Sequence, residues 1–149
     1  MDAAKILQEF LDQIGAAMLA DDWLTYRDGI FLPCHIISQD ETKVVATEED
    51  LKTGFDQFYA TLQAQRVTDY VRLVESAALL EATLIAGDYT THLIAGGQRA
   101  MPPFKSQMTL RLVGNRWRAA SITNPLANSR WPLVRLALHP DDHPKGPEE

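Results

Sequence analysis

Residues 104–123, FKSQMTLRLVGNRWRAASIT, decide the fold of this chain. Polar and apolar residues alternate over 107–112, the period of two that is typical of a strand with one buried face. Gly114 and Asn115 follow, and both residue types tolerate the positive φ angles that a two-residue hairpin turn requires. Residues 117–122 return as the second strand. The stretch therefore predicts a β-hairpin whose apolar face is covered by other elements, which we expect to be the helices upstream.

Three helices are predicted before this hairpin. Apolar residues at helical spacing indicate a first helix over about residues 2–20. Asp22 is placed to cap a short second helix that ends near Gly29. Thr47 begins a third helix with Thr-Glu-Glu-Asp, which is close to a capping box, and this helix ends near Gln65.

The remaining segments predict strands. Pro33 cannot continue a helix, so the first strand is expected to begin after it. Gly87-Asp88 is interpreted as a turn between two later strands. The strands predicted before the final hairpin are residues 35–38, 43–46, 70–82 and 89–95.

Composition places the chain among soluble globular proteins. Its 149 residues are 46% hydrophobic and 23% charged, which is ordinary for one folded domain. The single cysteine, Cys34, excludes an internal disulfide. No apolar run approaches the roughly 18–20 residues of a membrane span, and the N-terminus lacks the basic region of a secretion signal. We therefore expect a cytoplasmic protein that does not bind a membrane.

Charge is unevenly distributed along the chain. Residues 1–65 hold 12 acidic and 4 basic residues, whereas residues 66–149 hold 8 acidic and 10 basic ones. An overall net charge of −6 does not favour a nucleic-acid surface, which needs a clearly basic footprint. The basic residues on candidate strands are therefore interpreted as the solvated face of a sheet: Arg72, Arg99, Lys105, Arg111, Arg116 and Arg118.

The order of elements resembles a known superfamily. A helix, a short helix, a strand pair, a third helix and then four strands resemble the nuclear transport factor 2-like (NTF2-like) superfamily, particularly its polyketide-cyclase-like (SnoaL-like) branch. The segments that carry the resemblance are residues 17–23 (AMLADDW), Leu32-Pro33, residues 47–58 and the Gly-Asn-Arg-Trp of residues 114–117.

The resemblance implies an α+β fold of the cystatin-like or NTF2-like kind. A cone-shaped, strongly curved and mainly antiparallel sheet wraps around the N-terminal helices and leaves a pocket. The resemblance also implies a homodimer formed through the outer sheet face, for which Thr109, Arg111 and Arg118 are candidates. We expect residues 1–124 to form this domain. Residues 125–149 then form an extension, with a short apolar segment over 131–138 and a disordered tail after it.

Enzymes of this superfamily place an acid, often an Asp, in the apolar pocket as a proton shuttle. Residues 32–38 and 105–122, where such an acid is expected, contain neither Asp nor Glu. The alternative catalytic groups are His35 or His92 acting with Tyr26 in a cyclase-, isomerase- or dehydratase-like reaction.

No metal or other cofactor is expected. His139 and His143 lie four residues apart, but prolines break that segment, so helical spacing of the two imidazoles is excluded.

The sequence thus favours a domain that binds a small, mostly apolar molecule in the cone pocket, because inward-facing apolar residues outnumber convergent polar groups. The two alternatives left open are an enzyme of the kinds above and a homodimeric interaction module. The residues expected to line the pocket are Tyr26, His35, Phe55, Phe58, His92, Met108 and Trp117.

Overall fold

A computed structural model describes residues 2–124 and the backbone of residues 129–130 and 133–134. The predicted segment 131–138 therefore lies almost entirely outside the described residues, and so do the predicted disordered tail and both of its histidines. The elements in chain order are α1 (Ala3–Leu19), α2 (Trp23–Asp28), β1 (Ile30–Ile37), β2 (Thr42–Val45), α3 (Glu48–Ala64), β3 (Asp69–Glu81), β4 (Leu84–Ala95), β5 (Gln98–Arg99), β6 (Phe104–Val113), β7 (Arg116–Thr123), β8 (Ser129–Arg130) and β9 (Leu133–Val134).

The second and third helices begin at the side chains that the sequence marks as caps. The Asp22 carboxylate accepts a hydrogen bond from the Thr25 backbone N–H at 3.2 Å, and the Thr47 hydroxyl accepts one from Asp50 N–H at 3.1 Å. Each bond satisfies a backbone donor that the first helical turn leaves unpaired. The predicted limits of the helices are confirmed within two residues.

A seven-stranded sheet follows the order β2-β1-β7-β6-β4-β3, with β5 paired to β4. All neighbours are antiparallel except β1 and β7, which run parallel. The hairpin of β6 and β7 lies in the middle of this order, and Gly114 takes a φ of 65° at its turn. The predicted α+β architecture with a curved, mainly antiparallel sheet is confirmed.

Strand β1 begins five residues earlier than predicted. Pro33 lies inside it, and the pairing of β1 with β7 shifts register between Ile30 and His35. Proline cannot donate to a ladder and is tolerated at such an irregularity. The expectation that Pro33 precedes the strand is therefore wrong.

Gly87 is not in a turn. It lies within the continuous strand β4, and the turn is formed by residues 82–83. A Cβ atom on Gly87 would lie 2.5 Å from Leu7 Cδ2 of α1 and 2.9 Å from Ala77 Cβ. The glycine lets the first helix approach the inner face of the sheet. Glycine inside a strand often marks such a close approach of another element.

Helix α1 crosses the inner face of the sheet close to β3. A Cβ atom on Gly15 would lie 3.3 Å from the Tyr70 carbonyl oxygen, so close packing offsets the usual cost of a glycine inside a helix. None of the helices in the described part of the chain is long and apolar enough to cross a membrane. The largest side chains that are fully enclosed between helices and sheet are Leu7, Leu11, Met18, Leu51, Phe55, Leu62, Ile85, Leu93 and Leu110.

Candidate ligand-binding site

Aromatic side chains from the helices fill most of the cone. The Tyr26 and Phe55 rings lie 4.9 Å apart between centroids, and Trp23 lies 5.4 Å from Phe55. Phe58 meets the Tyr70 ring edge-on at 5.6 Å. Tilted and edge-on arrangements at these distances are favourable for aromatic pairs. The rings therefore pack against each other as a core.

A small cavity remains in the interior, and we call it the inner cavity. Its volume is about 20 Å³, which is room for about one water molecule. With the side chains in these positions it is too small for an organic molecule. The residues that line it are Phe10, Ile14, Met18, Tyr26, Ile30, Phe58, Tyr70, Arg72, Met108, Ala119 and Ile122.

Arg72 is the one charged residue lining the inner cavity. It points inward from β3 and its exposed fraction is 7%. Its Nη2 donates to the Leu11 carbonyl oxygen at 3.2 Å, and its Cζ lies 4.4 Å from the centre of the Tyr70 ring. The Nε atom is buried and has no hydrogen-bond partner among the described residues. Buried polar groups are nearly always bonded, so this donor requires an explanation.

The guanidinium also lacks a negative partner within residues 2–124. The ion pairs found there join Arg27, Lys52 and Lys105 to carboxylates, and none includes Arg72. An arginine cannot release its proton in a protein, so its positive charge persists in the interior.

The nearby tyrosines do not supply the missing charge. Burial raises the pKa of Tyr26 well above its usual value, and the neighbouring Tyr70 raises it further. Burial likewise raises the pKa of Tyr70, and it raises the pKa of Tyr89 to about 12 against the opposing effect of Arg72. All three phenols are therefore neutral near pH 7.

A larger concavity lies outside the core, between α1 and the turn of the β6–β7 hairpin, and we call it the α1 groove. Its volume is about 350 Å³. Phe10 and Ile14 line both the α1 groove and the inner cavity, so these two side chains form the wall between them. A Cβ atom on Gly29 would clash with Ile14 Cδ1, so the glycine allows the Ile14 side chain to pack at this position in the wall. The α1 groove is lined by Ile6, Glu9, Phe10, Gln13, Ile14, Thr25, Gly29, Asn115, Arg116 and Trp117.

The structure brings together only part of the predicted pocket residues. Tyr26, Phe58 and Met108 line the inner cavity, and Phe55 is buried beside Tyr26. Trp117 is half-buried and lines the α1 groove instead.

The two histidines lie elsewhere. His35 is exposed and pairs with Val44 on the outer side of the sheet. His92 lies between the buried residues Thr91 and Leu93 of β4, so strand alternation turns it to the outer face. Neither residue lines the inner cavity or the α1 groove.

Arg72 is the site residue that sequence reasoning misses. The sequence places it among the basic residues of a solvated sheet face, with Val71 and Leu73 as its apolar neighbours. In the structure the alternation is reversed, because Val71 and Leu73 are 40% and 51% exposed and Arg72 faces the core. The aromatic residues at alternate positions, Tyr70 before it and Tyr89 on the paired strand, carry the only signal that this face is enclosed.

We expect alkaline pH to destabilise the protein in two steps. Burial raises the pKa of Cys34 from 9.0 to about 12, so only the unfolded state ionises between these values. The free energy of unfolding then falls by at most about 1.4 kcal/mol per pH unit for each such group. Urea unfolding of the unmutated protein across pH 8–11 should show the free energy of unfolding begin to fall near pH 9, where the thiol ionises in the unfolded state. For Cys34→Ala the fall should begin near pH 10, where the tyrosines ionise in the unfolded state. Identical slopes for the two proteins between pH 9 and 10 would contradict the burial of the thiol.

Comparisons with known proteins give the fold and no more. No protein-family model matches the chain, and no curated protein matches its sequence. An NTF-2 like protein of unknown function from Shewanella oneidensis is 11% identical with a TM-score of 0.60, covering 82% of this chain and 98% of that one.

Two further solved structures agree with this. An NTF2-like protein with a cystatin-like fold from Novosphingobium aromaticivorans is 14% identical with a TM-score of 0.61, covering 85% of this chain and 83% of that one. A domain of unknown function with a cystatin-like fold from Nostoc punctiforme is 12% identical with a TM-score of 0.62, covering 80% and 74%. The chain therefore has the NTF2-like, cystatin-like fold.

Proposed function

We propose that this domain binds a small, mostly apolar molecule in the α1 groove. The observation that carries the proposal is the combination of size and lining. A volume of about 350 Å³ lies at the lower end of the roughly 300–1,000 Å³ typical of ligand sites. The cone interior, where the sequence predicts the ligand, leaves a much smaller space.

The lining of the α1 groove suits such a ligand. Phe10, Ile14 and Trp117 provide an apolar floor, and Trp117 offers a large ring that is only half-buried. Polar groups at the groove, such as Glu9, Gln13 and Arg116, can fix the orientation of a bound molecule. Half of the ten lining residues are polar, so the groove suits a small molecule with an apolar body and some polar groups.

A catalytic function has less support. The SnoaL-like resemblance implies cyclase, isomerase or dehydratase chemistry, for which a general base must lie within reach of the ligand. His35 and His92 lie on the outer sheet face, away from both concavities. Tyr26 is 4% exposed and its pKa is raised well above the usual value, so it is a poor proton acceptor near pH 7.

A second proposal concerns the outer sheet face, which we propose forms a homodimer interface. Val71 and Leu73 of β3 expose 40% and 51% of their surface there. Arg111 and Arg118 lie directly opposite each other on the same face, and like charges in such a pair repel each other. Acidic groups on a partner surface can compensate these two charges. Exposed apolar residues on one face are typical of an interaction surface.

An uncharged fluorophore tests the α1 groove. N-phenyl-1-naphthylamine carries no charge, so its affinity does not depend on the charge of Arg72. Gln13→Trp places a bulky side chain in the groove from an exposed position and should weaken binding about tenfold or more, a change of about 1.4 kcal/mol. Ala16→Trp, at an exposed position of the same helix that does not line the groove, should bind as the unmutated protein does. Lack of saturable binding, or equal affinity of the two variants, would rule the groove out.

The dimer is tested by a matched pair of charge substitutions. Leu73 on the outer face and Leu24 on α2 are 51% and 58% exposed. Light scattering after size exclusion should show a dimer for the unmutated protein and for Leu24→Glu, and a monomer for Leu73→Glu, because only the latter buries a charge at the interface. An unmutated protein that is monomeric at tens of micromolar would refute the interface.

A further inference from the structure

The charge of Arg72 is not explained by its structural contacts. The Leu11 carbonyl and the Tyr70 ring offer dipoles and a quadrupole to the guanidinium. Such contacts reduce the cost of burying a cation but do not neutralise it. A buried charge is usually paired, and one left unpaired is strongly destabilising.

The groups around the inner cavity do not compensate the positive charge of Arg72. Tyr26, Tyr70 and Tyr89 are neutral near pH 7, and Cys34 is a neutral thiol at that pH because burial raises its pKa to about 12. The other residues that line the cavity are apolar. Among residues 2–124, then, nothing brings a formal negative charge to Arg72.

The space beside Arg72 is the right size for one small group. About 20 Å³ accommodates one particle of the size of a water molecule, and a halide ion or one carboxylate oxygen is of similar size. The Nε atom, which has no partner among the described residues, provides a donor for it. Hydrogen bonds between a guanidinium and an anion are among the stronger ones in proteins.

We propose that the inner cavity is a binding site for one monovalent anionic group held by Arg72. The group is either a free halide-sized ion or the carboxylate of the small molecule in the α1 groove. The second source rests on the proposed function, because the body of the ligand would then occupy the groove. The side chains of Phe10 and Ile14 line both spaces, so the proposed carboxylate would reach the inner cavity past these two residues.

The halide source is tested by thermal unfolding at constant ionic strength. Sodium bromide replaces sodium gluconate stepwise, since gluconate is too large for the cavity. The melting temperature of the unmutated protein should rise with bromide concentration by about 3 °C or more near saturation, as for any ligand that binds only the folded state. Arg72→Met keeps an unbranched apolar stem and removes the charge, so the melting temperature of this variant should not respond to bromide.

The carboxylate source is tested in the same assay with 3-phenylpropanoate. Its neutral control is 3-phenylpropanamide, which has the same shape without the charge. Stabilisation by the acid and not by the amide, lost in Arg72→Met, identifies the carboxylate as the anionic group. Gln13→Trp should then abolish the response to 3-phenylpropanoate and leave the response to bromide unchanged.

These arms separate the two proposals. A bromide response that depends on Arg72, in a protein that fails to bind N-phenyl-1-naphthylamine, supports the anion site and refutes the α1 groove. Arg72→Lys keeps a positive charge and should retain a weaker response, which keeps the test decisive if Arg72→Met does not fold. The anion site is overturned if neither bromide nor 3-phenylpropanoate stabilises the unmutated protein. It is also overturned if the melting temperatures of Arg72→Met and Arg72→Lys rise as much as that of the unmutated protein.

Discussion

The position of Arg72 in the cone interior determines how the first helix sits on the sheet. Its guanidinium bonds to Leu11 of α1, while Gln8 of the same helix donates to the Arg72 carbonyl oxygen at 2.7 Å and accepts from Val74 N–H at 2.9 Å. These three bonds connect α1 to β3 across the inner face. Because polar groups meet only in particular geometries, they fix the rotation and height of the helix more narrowly than apolar packing does.

That placement gives α1 two roles. On its inner side Leu7 and Leu11 close the core against the sheet, at a distance that Gly15 and Gly87 permit. Further round the helix, Phe10 and Ile14 form the wall between a charged interior cavity and the α1 groove. A single helix thereby borders both spaces, and a ligand with an anionic group and a mostly apolar body matches the pair. The histidines that suggested catalysis lie on the opposite side of the sheet.

Most of the fold is predictable from the sequence because local signals are strong where elements begin and end. Caps at Asp22 and Thr47 set the helix starts, and the Gly114 turn sets the central hairpin. Gly87 misleads, since the approach of α1 that requires a glycine there is a contact between residues far apart in the sequence. A glycine inside a strand and a glycine in a turn look alike until the partner is known.

The candidate site is less predictable than the fold for a related reason. Strand alternation states that Val71 and Arg72 face opposite ways, but not which of them faces inward. Apolar Val71 predicts the reverse of what the structure shows, because β3 turns Val71 and Leu73 to the outer face and Arg72 to the core. The inward position of Arg72 goes with polar partners on α1, such as the Leu11 carbonyl, and a single sequence does not reveal such contacts.

The central claim is that Arg72 holds an anion inside the cone. Its most direct test is X-ray diffraction from crystals of the full chain soaked in sodium bromide, with data collected at the bromine absorption edge. We expect an anomalous peak in the inner cavity within about 3.5 Å of the Arg72 guanidinium, the distance range of a hydrogen bond to a large anion. Anomalous peaks at surface sites with only water, or nothing, beside Arg72 would contradict it.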